Sequence, residues 1–161
     1  MRIMVLSDTH VPRMARDIPN KVYEEAGKCD LILHAGDFTE VPLYKKLQKI
    51  NKIVAVCGNM DSKELSMLLK PREIVEVKGF RIGLTHGWGS PEGLVERVYE
   101  DFSKDKVNCI VFGHSHHAFN DVYKKVSFLN PGSTTDKIFA KFNSYGIITI
   151  SGKLETELVR I

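Results

Sequence analysis

Three short apolar runs, Ile3 to Leu6, Leu31 to Ala35 and Ile53 to Val56, are too brief for buried helices, and the stretches between them carry apolar residues at helical spacing. After Pro19, a residue suited to a first helical turn, Val22, Tyr23 and Ala26 recur on one face until Gly27 offers a stop. Val41 to Leu47 reads as a second helix. A chain patterned in this way returns each strand to a shared sheet through a helix, a β-α-β-α-β unit with parallel strands buried on both faces.

From Ile74 the texture changes. Ile74 to Val77 and Arg81 to Leu84 flank Lys78-Gly79-Phe80 and predict a hairpin, and a helix is expected from Pro91 to Phe102. Ile110 to Phe112 is again a buried strand, followed by Val122 to Val126, Phe128 to Leu129, and a closing hairpin of Tyr145 to Ile150 with Leu154 to Val159. Antiparallel strands must therefore join the parallel ones. The expectation is an α/β fold of two packed mixed sheets with helices outside them. At 161 residues, 43% of them apolar, the whole chain 1–161 reads as one domain.

The N-terminal run meets Ser7 and Asp8 too soon for a signal peptide, and no later run approaches membrane-spanning length, so the expected location is the cytoplasm, with no membrane partner. Cys29, Cys57 and Cys109 adjoin apolar runs without C-x-x-C spacing and read as small core residues rather than as a disulfide or metal framework. A net charge of +3, with lysines scattered in pairs such as Lys45-Lys46 and Lys124-Lys125, does not call for a nucleic-acid partner. Self-association into a homo-oligomer is left open.

Chemistry is written at the strand ends. The first strand runs into Asp8-Thr9-His10, the second into Gly36-Asp37 and the third into Gly58-Asn59. Ile82 to Thr85 runs into His86-Gly87, and Ile110 to Phe112 into Gly113-His114-Ser115-His116. The carboxyl ends of strands are where open α/β sheets bind ligands, so these residues can converge on one crevice. Singly, each has a plainer reading, an Asp or Asn as turn or helix cap and a His as a satisfied polar group. Jointly, carboxylate, imidazole and amide oxygen without thiolate favour divalent Mn, Fe or Zn in an open site. Seven candidates are too many for one ion, whereas two ions sharing a carboxylate would use them all.

These five pieces, D-x-H, G-D, G-N, a separate H-G and G-H-x-H in that order, resemble the signature of the calcineurin-like metallophosphoesterase superfamily over Asp8 to His116. The compact spacing is most similar to the small prokaryotic phosphodiesterase subgroup, related to the phosphodiesterase-like retromer subunit. The resemblance implies a four-layer α/β/β/α sandwich. It also implies two divalent ions per chain, manganese foremost, with nickel, zinc, iron or magnesium as alternatives. One ion would be held by Asp8, His10, Asp37 and His116 and the other by Asp37, Asn59, His86 and His114, with Asp37 as the bridge. A hydroxide between the ions would attack the phosphorus of a small phosphate diester, with no protein nucleophile. Phosphomonoesterase activity, or a non-catalytic protein-docking module of the same fold, are the alternatives.

One departure concerns Met60, which follows Gly58-Asn59 where larger relatives carry a histidine that assists the leaving group. A thioether donates no proton, so the general acid is unassigned. Asp61 is expected to cap the following helix in preference to orienting a ligand. His117 and Arg13 are candidate substrate contacts, although each has a solvent-facing alternative. His34 is expected in the core or behind the ligands, Trp88 as packing or a pocket wall, and Asn130-Pro131-Gly132-Ser133 as a plain turn.

Overall fold

A computed structural model describes residues 1–161. The first half forms β1 (Arg2–Leu6), α1 (Asn20–Lys28), β2 (Leu31–His34), α2 (Val41–Ile50), β3 (Ile53–Ala55) and α3 (Lys63–Leu68). The second half adds β4 (Arg72–Val77), β5 (Phe80–Thr85), α4 (Leu94–Phe102), β6 (Cys109–Val111), β7 (Phe119–Tyr123), β8 (Val126–Asn130), β9 (Ser144–Ile150) and β10 (Leu154–Arg160). Two mixed five-stranded sheets result, in the orders β10-β9-β1-β2-β3 and β4-β5-β6-β8-β7.

Alternation along the strands sorts side chains into layers. Ile3 and Val5 of β1, Leu31 and Leu33 of β2, Ile82 and Leu84 of β5, and Cys109 and Val111 of β6 face each other in one core between the sheets. On the outer face of the first sheet, Met4, Leu6 and Ile32 meet Val22 and Ala26 of α1 and Leu43 and Leu47 of α2. On the outer face of the second, Ile110 and Phe128 meet Leu94, Val98 and Phe102 of α4. Three cores thus separate four layers, α/β/β/α, as the resemblance implied. None of the helices is long and apolar enough to cross a membrane.

Two local expectations change. The segment Val122 to Val126 is not one strand, because Lys124 and Lys125 both take left-handed backbone (φ 47° and 67°) and turn β7 antiparallel onto β8. Two lysines occupy turn positions that glycine or asparagine usually marks. Likewise α4 begins at Leu94 rather than Pro91, because Gly93 lies in the left-handed region and caps the helix from there.

The topology places the chemistry. Parallel pairing of β1 with β2 and of β2 with β3 aligns Leu6 with His34 and His34 with Ala55, so the loops leaving these strands emerge side by side. Parallel pairing of β5 with β6 does the same for the loops after Thr85 and Val111.

Candidate metal centre

All seven strand-end candidates meet where the two sheets open. Oδ2 of Asp37 lies 3.5 Å from Nε2 of His10 and 3.3 Å from Nε2 of His86. Oδ1 of Asp8 lies 3.4 Å from Nε2 of His116 and 4.0 Å from Nε2 of His10. Oδ1 of Asn59 stands 3.1 Å from both Nε2 of His86 and Nδ1 of His114. Asp8 with His10 and His116, and Asp8 with Asp37 and His86, are compact enough for each trio to hold a metal ion. Asp8 reaches the second trio because its Oδ1 is also 3.9 Å from Nε2 of His86.

The tautomers are fixed from behind. Nδ1 of His86 donates to the Ala35 carbonyl at 2.7 Å, and Nε2 of His114 donates to the Gly89 carbonyl at 2.8 Å. Nδ1 of His116 donates to the Asp136 carboxylate. Carbonyls and ionised carboxylates only accept, so each of these rings keeps its proton on the outer nitrogen and, when neutral, turns a lone pair inward. His10 reaches back through Nδ1 to the Thr39 hydroxyl at 3.4 Å, which sets its Nε2 3.1 Å from Nε2 of His116. Carboxylate and amide oxygens and imidazole nitrogens thus converge on one small volume. Once its histidines are deprotonated, such a cluster repels itself unless a cation fills it. Ligands held about 2.1 Å from one ion stand roughly 3 to 3.4 Å apart, the spacing found for most of these pairs.

Backbone strain marks the same residues. Asp8, His10, Asp37, His114 and His116 all have positive φ, between 42° and 71°. Side-chain-bearing residues pay for that conformation, and it persists where surrounding structure dictates it. Two glycines make the close approach possible. A Cβ on Gly58 would stand 2.5 Å from the Asp37 nitrogen, and one on Gly113 would stand 2.7 Å from Oδ2 of Asp8.

Charge is tuned accordingly. Burial works to lower the pKa of His86, but the hydrogen bond to Asp37 and the charges of Asp8 and Asp37 prevail and push it up to about 9. Burial would raise the pKa of Asp37, yet its contact with His86 and the Met60 N–H hold it below the usual carboxylate range. His10 is driven down by burial, against the pull of Asp37 and Asp8.

The remaining candidates divide. His34 is fully buried, stacked on Phe38 at 3.5 Å between ring centroids, and donates to the Thr9 hydroxyl at 3.1 Å, so it supports the loop after β1 from within the core. His117 stands at the rim with Nε2 on the Phe139 carbonyl at 3.2 Å. Arg13 is exposed and makes no hydrogen bond or ion pair with the cluster. Trp88 is half-exposed and walls a cleft beside Asn59 and His86. Asp61 does not cap α3; Ser62 does, accepting from the Leu65 N–H. The carboxylate of Asp61 instead gathers the N–H groups of Gly58, Asp37 and Thr39 at 2.8, 3.1 and 2.8 Å, tying the loop after β2 to the loop after β3.

The turn after β8 is likewise more than a turn. Ser133 and Thr135 donate to the carbonyls of Asp8 and Thr9 at 2.6 and 2.7 Å, and Asn130 donates to that of Gly113 at 2.9 Å. Asp136, which sequence reasoning passed over, is buried and holds His116. Its sole sequence signal was its place in a polar Ser-Thr-Thr-Asp string after a strand end.

A four-layer sandwich with Asp, His and Asn converging from five strand ends defines the class of a metal-dependent phosphoester hydrolase. The chain belongs to the calcineurin-like phosphoesterase superfamily, whose domain model matches residues 1–153. A probable metallophosphoesterase of Methanocaldococcus jannaschii is 34% identical over 100% of this chain and 82% of its own length. Vps29 of Chaetomium thermophilum superposes with a TM-score of 0.83 at 22% identity, covering 100% of this chain and 93% of its own. A structure described as a novel archaeal phosphodiesterase gives 0.77 at 21% identity, covering 100% of both chains. At these identities the two structures establish the shared fold.

Proposed function

We propose that the chain is a phosphodiesterase that binds two divalent ions, one on Asp8, His10 and His116 and one on Asn59, His86 and His114, with Asp37 shared. The observation that carries this reading is the position of Asp37 Oδ2, 3.5 Å from the inward nitrogen of His10 and 3.3 Å from that of His86. Mixed oxygen and imidazole donors without thiolate put manganese first, ahead of nickel, zinc, iron or magnesium. When bound, such a pair supplies a nucleophilic hydroxide at neutral pH and neutralises charge on the phosphoryl oxygens.

The chain's own part is to aim and hold. Ala35, Gly89 and Asp136 keep the outer imidazole nitrogens protonated. The Met60 N–H, 2.7 Å from Oδ1 of Asp37, fixes that carboxylate so that Oδ2 faces both groups of ligands.

Diester outranks monoester on charge. A monoester brings about two negative charges at neutral pH, a diester one. Ion pairs inside the cluster are all between histidine and aspartate. Arg72, the cation lining the cleft beside Asn59 and His86, is already paired with Asp105. Neither cleft beside the ligands is lined by another lysine or arginine to meet the second charge. Two clefts, one walled by Trp88 and the other by His117 and Phe139, flank the ligands and offer room for two ester arms of a small substrate. Three free cysteines suit the reducing cytoplasm.

The experiment is a panel of phosphate mono- and diesters assayed with manganese, nickel, zinc, iron and magnesium. Diesters should turn over with one metal preferred. Turnover confined to monoesters would overturn the diester reading, and none with any metal would favour a docking role.

A further inference from the structure

Beside the candidate metal centre, Pro91, His114, Ser115, His116, His117 and Phe139 line an open cleft of about 320 Å³. That is the small end of the range for small-molecule sites, roughly 300 to 1,000 Å³, and holds one ring-sized group rather than a polymer. Phe139 is 61% exposed and lies outside the hydrophobic cores. It is nevertheless fixed. Its N–H donates to Oδ1 of Asp136 at 3.1 Å, its carbonyl accepts from Nε2 of His117 at 3.2 Å, and its ring stands edge-on to His116 with centroids 5.9 Å apart. The carboxylate that orients His116 therefore also fixes an exposed aromatic ring at the mouth of the site.

We propose that Phe139 is a stacking platform for one ester arm, so that the preferred substrate is a phosphodiester bearing an aromatic ring there, a nucleobase or a simple aryl group. This rests on the phosphodiesterase reading and narrows its substrate class. With the phosphate on the ligand cluster, the adjoining cleft receives the arm, and a planar arm covers the open face of the ring. Stacking of a base on an aromatic side chain is lost on alanine substitution at a cost of about 5- to 150-fold in affinity.

The test is calorimetric binding to the manganese-loaded protein, with adenosine monophosphate, phenyl phosphate, methyl phosphate and inorganic phosphate as probes. The unmodified protein should bind the two aromatic probes more tightly than methyl phosphate. Phe139→Ala should erase that advantage, Phe139→Trp should keep it, and neither should change binding of inorganic phosphate. A loss for adenosine monophosphate alone assigns the platform to a nucleobase, and a loss for both aromatic probes assigns it to any aryl arm. The proposal is overturned if Phe139→Ala leaves the aromatic probes unaffected, or if methyl phosphate binds as tightly as they do. Failure of inorganic phosphate to bind the loaded protein would instead bring down the phosphoester reading, and the platform with it.

Discussion

Asp136 accepts the Nδ1 proton of His116 through one carboxylate oxygen and the N–H groups of Ile138 and Phe139 through the other. Contact with His116 keeps Asp136 ionised against the effect of its burial, so its pKa lies below the usual range. Outer partners of this kind are typically worth 10- to 100-fold in metal affinity. Asp136→Asn retains an oxygen for the loop N–H groups and removes the charge behind His116. It should therefore weaken manganese binding by about that factor and leave the melting temperature of the metal-free protein nearly unchanged. Calorimetric titration checks this, and an unaltered dissociation constant would show that Asp136 serves the loop alone.

Asp37 and Asn59 separate a shared ligand from an unshared one. Asp37→Asn keeps the Met60 hydrogen bond while removing the charge between His10 and His86, and should loosen both ions. Asn59→Ala should loosen one, the ion near His86 and His114. Metal content after dialysis, measured beside turnover, distinguishes them. Two ions retained by Asp37→Asn at near-normal turnover would end the bridging assignment.

Gly58→Ala tests the close approach of two loops. The added methyl group would enter within 2.5 Å of the Asp37 nitrogen, where backbone cannot move aside cheaply. Overpacking of this sort costs about 1 to 3 kcal/mol. Both a lowered unfolding midpoint and a loss of metal are expected, and an unchanged pair of values would mean that the loops yield freely.

How far all this was legible in the sequence depends on distance. The seven ligand candidates could be read because each sits at the end of an apolar run, a local signal, and parallel topology brings such ends together. Asp136 could not, since nothing near it in sequence distinguishes a carboxylate that supports His116 from one that closes a turn. Asp61 was mistaken for a helix cap for the same reason: its partners, the N–H groups of Asp37 and Thr39, lie in another loop. Periodicity identified β4, β5, β9 and β10, but not the Lys124-Lys125 turn, whose backbone is set by the pairing of β7 with β8 rather than by its residues.

In the metal-free protein, His86 has a folded pKa of about 9 against an ordinary value of 6.5. A raised histidine pKa contributes stability that is fully present below the unfolded value and disappears as pH rises through the folded one. Chelator-treated protein should accordingly lose stability between about pH 6.5 and pH 9. The manganese-loaded protein should not, because the ion replaces the proton, and metal uptake near neutrality should release protons. Urea midpoints across this range, with and without manganese, provide the measurement. A flat profile for the metal-free protein would show that His86 is neutral there.

Met60 stands 40% exposed at the rim, and its contribution to the site is a backbone N–H on Asp37. Its side chain donates no proton. Nor is His117 a ready donor, since its Nε2 proton is held by the Phe139 carbonyl. A leaving oxygen must then depart with its charge relieved by metal or solvent, and rates should fall steeply as the leaving group becomes more basic, nitrophenyl diesters far outrunning alkyl ones. Met60→His should flatten that dependence by accelerating poor leaving groups, since a well-placed general acid is worth about 10²- to 10⁴-fold. The Asp37 contact survives the change because it uses the backbone. Rates for a series of aryl and alkyl diesters on both proteins, plotted against leaving-group pKa, measure the effect. A shallow slope in the unmodified enzyme would reveal a proton donor already in place, with His117, released from Phe139 on substrate binding, as the first residue to replace.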